Sequence, residues 1–129
     1  MSDLPKPPDT RTEAAKAARE SYLELARRVI GEPTIDYTQL YQRFIQNEWS
    51  AIKLDDEVSL AALKSGKSPK DACITLLQSP YVQHQVYVKE VLRATMTRYA
   101  KATVQEALNQ LKGRRQPRIQ KPPESEVER

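Results

Sequence analysis

Residues 55–99 read DDEVSLAALKSGKSPKDACITLLQSPYVQHQVYVKEVLRATMTRY, and their punctuation decides the fold. Two Ser-Pro pairs, Ser68-Pro69 and Ser79-Pro80, have the form of helix starts: a Ser side chain accepts from an orphan N–H, and Pro is tolerated at the first helical position. Gly66 can supply the left-handed residue that ends the preceding helix. The stretch predicts helix, Gly turn, short helix, Ser-Pro turn, long helix. Asp55, Asp56 and Glu57 complement the positive end of a helix dipole, so a helix is expected to start near Asp55, with Val58, Ala61 and Ala62 inward. The short helix is expected from Pro69 to about Gln78, with Ala72, Cys73, Leu76 and Leu77 inward. Val88, Val91, Leu92, Met96, Tyr99, Val104, Leu108 and Leu111 keep a helical period, with no Pro or Gly between Pro80 and Lys112. One helix over that span would be about 50 Å long and would need a partner for its distal half.

Upstream, Thr10 and Glu13 have capping-box spacing, which predicts a helix from about residue 11 to Ile30, closed by Gly31 and Pro33. Asp36 and Gln39 repeat that spacing. Leu40, Tyr41, Phe44, Ile45, Trp49 and Ile52 then form one apolar stripe, so a second helix is expected to run through them. It holds the only Phe and the only Trp, both expected in the central core. The fold class is all-α: a small bundle of about five helices with a long C-terminal helix.

A chain of 129 residues is one domain. Both ends are rich in proline and poor in apolar residues, a composition that cannot offset ordering entropy. The expected organisation is a disordered segment at 1–10, one helical domain at 11–112, and a disordered basic, Pro-rich tail at 113–129. The net charge of +4 is mild, and its excess falls in the C-terminal half. That favours anionic partners without choosing among them. Cys73 is the only cysteine, so no internal disulfide is possible. With no apolar run near the length of a membrane span and no signal-like start, the chain is expected to be cytoplasmic and off the membrane.

Ala62, Gly66, Ser68, Ala72, Cys73, Leu76 and Ser79 sit at offsets that resemble the helix-turn-helix of response-regulator and sigma-factor-like domains. Residues 62–79 are also similar to helical segments of plasmid primases and mobilisation proteins. The resemblance implies that the helix after Ser79 is a recognition helix. It would present Gln83, Gln85 and Lys89 to bases, with Arg93, Arg98 and Lys101 following the phosphate backbone and Arg114 and Arg115 adding charge from the tail. The pattern departs from the family at Gln83, where an apolar residue belongs.

No catalytic constellation is visible. His84 is the sole histidine, without Cys or carboxylate at metal spacing. Cys73 falls on an apolar helix face, where a small hydrophobe suits better than a nucleophile. The adjacent acids 55–57 point in different directions on a helix. Gly66-Lys67-Ser68 lacks the upstream glycine and strand of a phosphate-binding loop. No enzyme activity, metal or cofactor is expected. The reading is a small helical accessory module that binds a protein partner, or a second copy of itself, through the first and last helices. Tyr22, Tyr87, Tyr99, Val104, Leu108 and Leu111 are the candidate interface residues. The alternative is a DNA-binding helix-turn-helix-like protein, regulatory or associated with a mobile element.

Overall fold

The computed structural model describes residues 5–113, and these form six α-helices with no strand among them. They are α1 (Glu13–Ile30), α2 (Tyr37–Phe44), α3 (Glu48–Lys64), α4 (Pro69–Leu76), α5 (Pro80–Tyr87) and α6 (Arg93–Leu111). The tail from residue 114 on, with Arg114 and Arg115, lies outside the described residues.

The capped starts follow the chemistry of their side chains. Asp36 and Gln39 close a full capping box on α2. Ser68 Oγ accepts from Asp71 N–H at 3.1 Å and Ser79 Oγ from Val82 N–H at 3.1 Å. Gly31 ends α1 at φ 74. The first helix is capped by Thr12, whose hydroxyl accepts from Ala15 N–H, rather than by Thr10.

Two expected helices are divided. The stripe from Leu40 to Ile52 spans a break at residues 45–47. Asn47 turns extended there and its side chain accepts from Ser50 N–H at 3.0 Å, starting α3 at Glu48. Asp55 is therefore mid-helix, not at a helix start. The restart also changes the helical phase. Trp49, expected in the core, points to solvent and is 75% exposed, while Phe44 and Ile45 pack only at the core's edge. The long C-terminal helix breaks at residues 88–92, where Glu90 takes a left-handed φ of 59 and Val91 N–H returns to the Gln85 carbonyl at 2.9 Å.

α3 touches all five other helices. Around it lies the core of Tyr22, Leu25, Leu40, Tyr41, Leu54, Val58, Leu76 and Val104. Residues 5–12 run beside α1 without helix. Arg19 Nη1 donates to the Pro8 carbonyl at 2.6 Å, and Gln42 Nε2 to the Pro5 carbonyl at 3.1 Å. Among the described residues no helix is long and apolar enough to cross a membrane.

Candidate functional site

Two features stand out chemically. The first is internal. The Asp55 carboxylate is fully buried in the middle of α3. Tyr22 of α1 donates to its Oδ1 at 2.6 Å. Tyr99 of α6 and Ser79, at the start of α5, donate to Oδ2 at 2.6 and 3.0 Å. Burial pushes the Asp55 pKa up to about 7, against the opposing pull of the three hydroxyls. Burial first, and then the carboxylate's field, raise both tyrosines above the usual phenol range. The cluster ties α1, the start of α5 and α6 to α3.

The second feature is on the surface. The break between α5 and α6 makes an elbow. Val88 and Leu92 would have stayed inward on a continuous helix, but the break turns them out, next to Tyr87 at the end of α5. Leu92 is 73% exposed, Val88 54% and Tyr87 45%. Beside the elbow opens a cleft of about 420 Å³, within the size range of ligand pockets. Leu77, Val82, Val86 and Met96 give it apolar lining, and residues 9–12 line it as well. Two guanidiniums edge it, Arg11 and Arg93. Arg93 is positioned: it stacks over the Tyr87 ring at 5.2 Å and donates from Nη2 to the Tyr87 hydroxyl at 2.6 Å. Among the described residues neither arginine has a carboxylate partner. Among the described residues Asp9 is the one acid on the lining.

The residues singled out from sequence are distributed unevenly around this site. Gln83 is buried. It accepts from Arg19 Nη2 at 3.1 Å and donates to the Leu77 carbonyl at 2.8 Å, so its amide cannot reach a base edge. Pro80 and Val82, in the first turn of α5, are buried too. Gln85 is half-buried and donates to the Tyr81 hydroxyl at 3.2 Å. Lys89, Arg93, Arg98 and Lys101 are exposed. They do not form one row: Lys89 sits in the elbow, Arg93 at the cleft, and Lys101 near Cys73 of α4.

Of the interface candidates, Tyr22 and Val104 are core residues, because α1 and α6 bury those faces against α3. Tyr99 is half-buried and tied to Asp55, and Leu108 is half-buried. Tyr87 and Leu111 remain on the surface. The half-buried His84 has its pKa lowered by burial and by Lys89. The Cys73 thiol is raised by burial.

Sequence reasoning did not single out Arg11, Val88 and Leu92 as site residues, because an unbroken helix would have hidden the latter two. It also read Asp55 as a helix-end charge. Comparison with family models, with curated proteins and with solved structures finds no match to this chain.

Proposed function

We propose that this chain is a non-enzymatic helical module that binds a protein partner at the elbow cleft. The partner's segment would bring an apolar side chain against Leu92, Val88 and Tyr87 and a carboxylate toward Arg93 and Arg11. The observation that carries this is Leu92, 73% exposed beside a pocket-sized cleft with apolar lining. Large apolar side chains exposed together favour an interaction site. Interfaces draw their energy from such anchors, with charge-assisted arginine contacts supplying specificity. The left-handed Glu90 adds to the case, since backbone strain outside glycine gathers at functional sites.

The test uses the full chain with a photo-crosslinking residue at Leu92 and, as control, at the exposed Lys16. Crosslinks to one protein from Leu92, absent from Lys16, are expected. They should be lost in Val88→Ser and in Arg93→Glu while the thermal melt is retained. Crosslinking that survives both substitutions would refute the elbow as the binding site. Retention that instead vanishes with nuclease and falls steeply with salt would favour nucleic acid.

A further inference from the structure

A different face of the molecule points to self-association. Ala51, Leu54, Val58 and Ala62 direct one side of α3 into the core. At 100° per residue, the opposite side carries Trp49, Lys53 and Leu60, with Ile52 and Asp56 on one flank and Glu57 on the other. Trp49 is 75% exposed, and Lys53 and Glu57 are exposed. Ile52 and Leu60 are half-buried and lie outside the core cluster. Lys53 and Glu57 have the i,i+4 spacing of an ion pair, yet among the described residues they do not pair with each other. We propose that this face of α3 packs antiparallel against the same face of a second copy, about a two-fold axis level with Asp55.

The register follows from the positions of the side chains. Along the helix, Trp49 lies about 9 Å to one side of that level and Leu60 about 7.5 Å to the other, so each indole meets Leu60 of the second copy. Lys53 and Glu57 lie about 3 Å to either side, so each lysine meets Glu57 of the second copy. One register thus matches an apolar pair and an ionic pair together, each made twice. This is the self-complementarity an isologous dimer requires. Sliding by one helical turn would set Trp49 against Asp56 or Glu57 in one direction, and in the other would set Lys53 against Leu60 or Ala61, so the paired match would be lost. The elbow cleft plays no part in this contact.

Trp49 is the only tryptophan, so its fluorescence reports directly on the interface. With rising protein concentration its emission should shift to the blue, in step with a monomer-to-dimer transition in sedimentation. Lys53→Glu should weaken the dimer by about tenfold, because both ionic contacts become repulsive. Lys53→Glu combined with Glu57→Lys should restore it, since each reversed charge again meets its opposite. Trp49→Ala should weaken it at least as much as Lys53→Glu. All three positions are exposed, so the variants are expected to keep the wild-type circular dichroism and melt when dilute. A monomer at every concentration, a dimer indifferent to Lys53→Glu, or a double variant no better than the single one would each overturn the proposal.

Discussion

The Tyr99 hydroxyl on α6 donates to Asp55 Oδ2 on α3 at 2.6 Å, joining positions 44 apart in the chain. Tyr22 grips the other oxygen from α1, and Ser79 adds the start of α5. One buried carboxylate thus links three chain segments to the helix that touches all the others. Ser79 and Tyr99 stand on opposite arms of the elbow, so the same carboxylate also fixes how the elbow is held.

Asp55 should make stability depend on pH. Its folded pKa is raised from 3.8 to about 7. Between those values the folded protein holds a proton that the unfolded chain releases. The Asp55 contribution is therefore fully present in acid and is lost as pH rises toward 7, with a slope approaching about 1.4 kcal/mol per pH unit. His84, with a lowered pKa, contributes in the opposite sense near its ordinary value of 6.5. Urea unfolding of wild type and Asp55→Asn across pH 4–8 separates the two, because the variant keeps His84. The difference between the curves should narrow steadily with rising pH. A difference that does not change with pH would show that Asp55 stays ionised.

Two buried tyrosines should respond in opposite ways to losing their hydroxyls. Tyr41 is fully buried and, among the described residues, its hydroxyl has no hydrogen-bond partner, whereas Tyr22 donates to Asp55. A buried polar group without a partner costs about 1–3 kcal/mol. Tyr41→Phe is therefore expected to be neutral or to stabilise by about 1 kcal/mol, and Tyr22→Phe to destabilise by a similar amount or more. Denaturant midpoints of the two variants make the comparison. Equal losses at both sites would contradict it.

Side-chain chemistry made part of the fold legible and hid the rest. Asp36 with Gln39, Ser68-Pro69 and Ser79-Pro80 announce helix starts because their own atoms do the capping. Asn47 also caps with its side chain, but it stands inside an apolar stripe that keeps helical spacing across the break. A stripe read through that break places Trp49 in the core and Asp55 at a helix end, where the structure has neither. Glu90 carries no residue-type signal for a left-handed turn. The elbow, and with it the exposure of Leu92 and Val88, could not be read from periodicity, which continues through it.

Glu90 should therefore tolerate glycine well. A left-handed conformation costs an L-residue roughly 1–2 kcal/mol that glycine avoids. Glycine's larger unfolded-state entropy returns about half to one kcal/mol of that. Glu90→Gly is expected to stabilise by up to about 1 kcal/mol, read from the midpoint of urea unfolding. Destabilisation would mean that the Glu90 side chain holds the elbow through contacts stronger than the strain.

Two serines with the same capping role should differ in cost. Ser68 Oγ accepts from Asp71 N–H at an exposed helix start, so Ser68→Ala should cost about 1 kcal/mol. Ser79 Oγ accepts from Val82 N–H and also donates to the buried Asp55. Ser79→Ala removes the cap and leaves the carboxylate one donor short, a further loss of about 1–3 kcal/mol. Losing a donor to the ionised form also raises the Asp55 pKa further, so the excess cost of Ser79→Ala should grow as pH rises through 7. Unfolding measured at pH 5 and pH 8 checks both statements. If the two serines cost the same at both pH values, the Ser79 hydroxyl acts only as a cap, and the Asp55 cluster is held by its two tyrosines alone.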